Sequence, residues 1–334
     1  MMNIIKKLKL YRIKTVLKYI PTSWKNSVML SNLSKQNRVN SFFSLLYWYY
    51  FYGFDFIDYC SFRFWELSAA ERKSYISYRR NDVLRFRLSD PESYDLFLDK
   101  ALFNEKFSQY IQRDWKLLSE TTPLDDLDSF MVRHPDVILK PLCDYGGHGV
   151  IKLSNKISDE EKRQIFKDND SRYIVEECIE NNDNLKRLAP GSLNTIRFVT
   201  LIDKYGKLNV LVSVLRMGNG TSFMDNFQSG GLSCTIDPQT GELRGNAHGM
   251  NCTEFESHPY SGIKFDGYKI DDFQKCLDLL KELTQVVPGA RYVGWDIAIT
   301  PRGIEVIEGN IPPGEYVTQI ASGRGLWYEI LDMI

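Results

Sequence analysis

The stretch Gly294–Asn310, GWDIAITPRGIEVIEGN, decides how this chain reads. Two apolar runs, Tyr292–Thr300 and Ile304–Glu308, flank Pro301-Arg302-Gly303, a pattern that predicts a β-hairpin. Pro suits the second position of a type I turn and Gly the left-handed residue after it, which predicts a three-residue loop. Such a loop pairs Thr300 with Ile304, Ala298 with Val306 and Asp296 with Glu308, and cross-strand partners share a face. Asn310, two residues on, joins that face, while Ile297, Ile299 and Ile307 fall on the other. Three oxygen-bearing side chains then converge, a hard donor set that suits Mg²⁺ when phosphates supply further ligands. The plainer alternative is a solvated acidic edge, since Glu305 brings charge to the same hairpin anyway.

Upstream lie two further constellations. Lys140-Pro141 ends a strand at Val137–Leu139, and Gly146-Gly147-His148-Gly149 leads into another at Gly149–Leu153. Glycines let backbone N–H groups approach phosphate oxygens and a lysine adds a point charge, so this predicts a phosphate lid. An ordinary glycine turn is the simpler reading, and no GK[ST] follows. Tyr173–Ile179 is an apolar strand that ends in Glu176-Glu177-Cys178-Ile179, the edge of a cleft or merely a polar strand terminus.

The remaining pattern is mixed. Residues 1–95 read as helical, basic and aromatic-rich, with capping boxes at Ser68/Glu71 and, further on, at Ser158/Glu161. A breaker cluster at Ser89–Ser93 marks a boundary, and Leu96–Leu118 reads as helical. Thr195–Ile202 and Leu208–Arg216 form a hairpin, and Ile270–Val287 is an amphipathic helix. Antiparallel strands with few helices between them predict an α+β fold. The expected organisation is residues 1–95, then a smaller lid-bearing unit at 96–180, then a larger unit at 181–334.

Composition excludes several classes. With 334 residues, 43% hydrophobic and 25% charged, the chain is an ordinary globular protein, not disordered or fibrous. The six cysteines form no CxxC and the four histidines no HxxxH or HExxH, against a zinc site. Formal net charge is -1, yet Met1–Phe54 holds nine Lys or Arg and no acid. That segment, with the aromatics of Phe42–Tyr52, is either packed and solvated helix or a peripheral contact with an anionic membrane. No leader peptide is visible, and a cytoplasmic setting, on the inner face of a membrane if bound to one, is the expectation. Nucleic acid is not an expected partner, because only the basic N-terminal segment favours it.

Taken in order, Asp99-Lys100, VILKP with YGGHG, IVEECI and DIAI…EVIEGN resemble the ATP-grasp superfamily. SLNTIRFVT, LRMGNG and DNFQSGGL are similar to its branch associated with sugar transfer and polysaccharide gene clusters. The resemblance implies an ATP-grasp fold, two α+β subdomains gripping ATP, preceded here by the helical region. It implies Lys100 and Lys140 as phosphate-contacting lysines, and Gly146, Gly147, His148 and Gly149 as the mobile loop over the phosphates. It implies Glu176, Glu177, Cys178 and Ile179 as the adenine-binding hinge, and Asp296, Glu308 and Asn310 as Mg²⁺ ligands. Arg216, or Arg197, corresponds to the arginine that steadies the transferring phosphate. The ribose-binding acid has no clear match; Asn194 and Glu180 are the candidates.

The chemistry implied is ATP-dependent, ADP-forming joining of a carboxylate to an amine through an acyl phosphate. A sugar carboxylate or an amino acid in capsule or O-antigen synthesis fits as substrate. Phosphoryl transfer to a hydroxyl, or a non-catalytic nucleotide-binding scaffold at the membrane, are the rival readings.

Overall fold

The structure, a computed structural model, describes residues 2–143, 149–167, 172–220, 225, 230–249 and 253–334, with 2–14 and 16 described by backbone alone. Two antiparallel sheets organise it. The smaller has the order β1-β4-β2-β3, built from β1 (Trp115–Leu117), β2 (Asp136–Pro141), β3 (Ile151–Ser154) and β4 (Tyr173–Glu177). The larger sheet is made of β5 (Thr195–Ile202), β6 (Leu208–Met217), β7 (Leu232–Ile236), β8 (Leu243–Gly249), β9 (Thr253–Phe255), β10 (Tyr292–Thr300) and β11 (Gly303–Asn310), in the order β11-β10-β5-β6-β7-β8-β9. The expected α+β class and helical N-terminal region are both present, since only helices precede β1.

Strand alternation sorts the larger sheet into two faces. Ile196, Phe198, Leu215, Val293, Trp295 and Ile297 turn to one side and pack on the helix Phe273–Val286 through Leu280 and Leu283. This helix is shorter than the expected Ile270–Val287, because Asp272 takes a left-handed conformation just before it. The opposite face is divided along its length. At one end Val199, Leu201, Val212 and Tyr292 pack against Leu84 and Leu88 of the helix Tyr78–Leu88 and against the C-terminal residues Leu326 and Ile330. At the other end the same face carries Thr195, Arg197, Arg216 and Asp296, which no apolar layer covers.

One expectation fails locally and one set of strands was missed. Leu96–Leu118 is not one helix: it holds the helices Pro91–Leu98 and Lys100–Lys106, and then β1. Asp90 caps the first by accepting from Ser93 N at 2.7 Å, and Asp99 caps the second by accepting from Ala101 N at 2.8 Å. At the breaker cluster Asp90 N donates to Gly289 O at 3.2 Å. Strands β7 to β9 were not foreseen; β8, LRGNAHG, carries too few apolar residues for its pattern to read as a strand.

The hairpin β10–β11 corrects the expected loop. Thr300 pairs with Gly303, so the loop is Pro301-Arg302 alone, and Ala298 faces Glu305 while Ile297 faces Val306. A two-residue loop alone would bring Ile307 opposite Asp296. A bulge between Asp296 and Ile297 absorbs one residue, Ile307, and restores the pairing Asp296↔Glu308. Ile307 consequently leaves the Ile297/Ile299 face, contrary to expectation, and lines the cleft between the sheets.

Gly309 allows the helix pair 91–106 to lie against β11. A Cβ there would stand 2.5 Å from Phe97 Cε1 and 3.0 Å from Phe103 Cε2. Gly309→Ala is therefore expected to cost on the order of 1–3 kcal/mol by overpacking, read as a lower midpoint in chemical denaturation.

Candidate active site

A cleft of about 590 Å³ lies between the two sheets, within the range of small-ligand sites. One wall is the row Glu308, Asp296 and Arg197, set side by side because Asp296 pairs with Glu308 on β11 and with Arg197 on β5. Arg197 donates to Asp296 through Nε at 2.5 Å and Nη2 at 2.8 Å, a two-pronged ion pair. Arg216 adds a third bond to the same carboxylate at 2.7 Å and reaches Asp225 at 3.4 Å. Thr195 holds the other oxygen of Asp225.

These carboxyls titrate in opposite directions. Burial alone would raise Asp296, but Arg197 and Arg216 outweigh it and hold the group well below the usual carboxylate range. Glu308 is pushed up, first by burial and then by the neighbouring Asp296 charge. Asp225 is pushed up by burial, against the pull of Arg216. Asn310 donates to Glu308 Oε1 at 3.2 Å, so those two side chains lie together as expected. Glu308 is thus a half-buried acid beside the buried Asp296, an environment a divalent cation would relieve, and the Glu308–Asn310 donors suit Mg²⁺. Asp296 is already shared by two arginines, and among the described residues no group of three or more Asp, Glu, His or Cys side chains is arranged to hold a metal.

The opposite wall comes from the smaller sheet. Lys140 on β2 contacts Glu176 on β4 at 2.5 Å. Lys100 starts its helix with Nζ 3.3 Å from Leu142 O and shares a small recess with Lys140, Glu308 and Asn310. The two lysines and the Glu308–Asn310 pair, far apart in sequence, therefore meet. Gly149, at φ +69°, turns the chain into β3; Gly146, Gly147 and His148 lie outside the described residues.

The expected hinge divides. Glu176 points inward: Arg113 donates to its Oε1 at 3.0 Å, Asn104 at 3.1 Å, and Lys140 grips Oε2. Burial would raise this acid, yet Arg113 and Lys140 hold it far below its ordinary value. Glu177 pairs with Arg302 at 3.1 Å. Cys178 and Ile179 line the cleft, and burial pushes the Cys178 thiol up, away from nucleophilic use. Of the two ribose candidates, Asn194 is fully buried and bonded to Asn181 and Ala189, whereas Glu180 lines the cleft.

Arg113 and Asp225 were not foreseen. Arg113 lies in a segment that reads as helix and carries no motif. Asp225 sits within the look-alike DNFQSGGL, but only pairing with Arg216 gives it a place.

A fold of two sheets closing on a cleft, with acids on one wall and lysines on the other, is the ATP-grasp class. Residues 79–333 match the model of the sugar-transfer associated ATP-grasp family, and the chain belongs to that family. No curated protein matches it significantly. Among solved structures it is similar to the D-alanine-D-alanine ligase of Coxiella burnetii, at 13% identity and a TM-score of 0.47, covering 76% of this chain and 62% of that one. It is also similar to the N5-carboxyaminoimidazole synthetase of Staphylococcus aureus, at 11% identity and a TM-score of 0.47, covering 76% and 58%. The chain thus spans about three-fifths of the length of these two structures.

Two outcomes test the electrostatics. A raised carboxyl penalises folding above its folded pKa, and the penalty vanishes below its unfolded value of about 4.3. Glu308→Gln, without divalent cation, should therefore raise Tm at neutral pH, with the gap to wild type closing as pH falls through 4. Arg113→Met should instead cost about 3–5 kcal/mol in chemical denaturation, because Glu305 loses its buried counter-charge and Glu176 keeps only Lys140.

Proposed function

We propose that the protein is an ATP-dependent ligase that joins a carboxylate to an amine through an acyl phosphate, releasing ADP. The observation that carries this reading is the row Glu308–Asp296–Arg197, with Arg216, sharing one cleft with Lys140, while Lys100 joins Lys140, Glu308 and Asn310 in the adjoining recess. Family membership supports the nucleotide, and the sugar-transfer association supports a uronic acid or an amino-acid substituent in capsule or O-antigen synthesis.

In this reading the apolar side chains Ile138, Ile179 and Ile307 take the adenine end of the cleft, and Glu180 reaches the ribose. Glu308 and Asn310, with one oxygen of Asp296, would hold Mg²⁺, which when bound offsets phosphate charge. Lys100 and Lys140 contact the phosphates, for which Lys140 turns from Glu176. A substrate carboxylate oxygen bonds to the γ-phosphorus as the bond to the β–γ bridging oxygen breaks and ADP departs. Arg197 and Arg216 stabilise the charge that builds on the transferring group. The amine nitrogen then forms the C–N bond, phosphate leaves with the acyl C–O electrons, and the amine gives up a proton. Among the described residues no Ser–His or Cys–His pair is needed or formed, because positioning and charge compensation carry the reaction.

The test is ADP release with Mg·ATP and mixed carboxylate and amine candidates, with the product analysed by mass. Glu308→Gln and Lys140→Ala should each lower turnover about 10²–10³-fold, while Glu308→Gln still binds adenosine in calorimetry. Wild-type ADP release by Glu308→Gln would make this hairpin structural, and a phosphorylated hydroxyl in place of an amide would make the enzyme a phosphotransferase.

A further inference from the structure

The helix Met2–Ser34 and the helix Arg38–Tyr52 form an antiparallel pair, joined where Arg38 Nε donates to Ser27 Oγ at 3.2 Å and where Tyr19 stacks on Tyr49 at 4.0 Å. The second helix has two unlike faces. Ser41, Leu45 and Trp48 are buried against the first helix and the aromatic cluster of Phe54, Tyr59 and Phe64. Val39, Phe43, Tyr47 and Phe51, spaced four apart on the opposite face, are 47%, 61%, 46% and 60% exposed. Trp24 of the first helix extends this strip, touching Phe42 at 5.2 Å, which touches Phe43 at 5.3 Å. A contiguous apolar strip of this kind on a soluble surface marks a contact.

The charge around it identifies the contact. No acid occurs before Asp55, nine Lys or Arg do, and among them Lys18, Lys25 and Lys35 are exposed. A second copy of this chain would bring a like-charged segment against its own, which opposes pairing. An anionic bilayer answers both features, taking the aromatic strip at the headgroup boundary and attracting the lysines. Neither helix, nor any other among the described residues, is long and apolar enough to cross the membrane.

We infer that this helical pair lies flat on an anionic membrane surface, with Val39, Phe43, Tyr47 and Phe51 inserted and Lys18 and Lys25 at the headgroups. The assignment does not depend on the ligase reading. Each lysine that reaches the surface is worth about a fivefold gain in partitioning.

The experiment is co-sedimentation of the full chain with phosphatidylcholine vesicles, with and without phosphatidylglycerol, at low and high salt. The expected result is retention only with phosphatidylglycerol, weakened by salt. Lys18→Gln with Lys25→Gln should weaken it roughly 25-fold, and Phe43→Ser with Phe51→Ser should abolish it with Tm unchanged. Equal binding to neutral and anionic vesicles, or binding to neither, overturns the inference. So does a dimer in light scattering that Phe43→Ser dissociates, which would make the face a contact between copies.

Discussion

The Arg113 side chain, only 2% exposed, is the charge on which the two sheets depend. It donates to Glu176 on β4 and, at 2.8 Å, to Glu305 on β11, as well as to the carbonyls of Val306 and Ile307. Each acid would be intolerable alone at this depth. Held together, they fix the smaller sheet to the edge of the larger one and set the width of the cleft. The bond to Ile307 O also falls at the bulge, so the contact that joins the sheets supports the irregularity that returns Glu308 to the side of Asp296.

The same economy of charge governs the site. The Glu308–Asp296–Arg197 row places two acids and a guanidinium on neighbouring strands, and Arg216 and Asp225 extend it. The arginines are compensated by Asp296, whose carboxylate fixes the orientation of both guanidinium groups. Glu308 lacks such compensation and is the place where the row can accept a cation. Lys140 is paired with Glu176 and Glu177 with Arg302, so the smaller sheet presents its charges already oriented. Preorganisation of this kind costs stability through desolvation and lowers the reorganisation that a reaction would otherwise require.

Much of this was legible in local sequence. Alternation of apolar residues marks β5, β6 and β10 because one face of each is buried on the helix Phe273–Val286. The Asp296–Glu308 pairing was foreseen on a three-residue loop, and it exists on a two-residue loop plus a bulge. Either arrangement puts both acids on one face. The hydrophobic pattern requires that face and leaves the backbone free to reach it by a different path. Strands β8 and β9 were missed because LRGNAHG and TEF carry too few apolar residues to show a period, whereas β7, LSCTI, does alternate and is short.

By itself, the sequence determined the α+β class and the resemblance to ATP-grasp proteins, because these follow from period, residue type and order along the chain. Only the tertiary structure decided which charges neutralise which. That Glu176 faces Arg113 and Lys140, that Asp296 is shared by two arginines while Glu308 is not, and that Phe43 is exposed while Trp48 is buried are all matters of distance. Electrostatic energy and burial depend on separation in space, and residues 113, 176 and 305 acquire a separation only when the chain has folded.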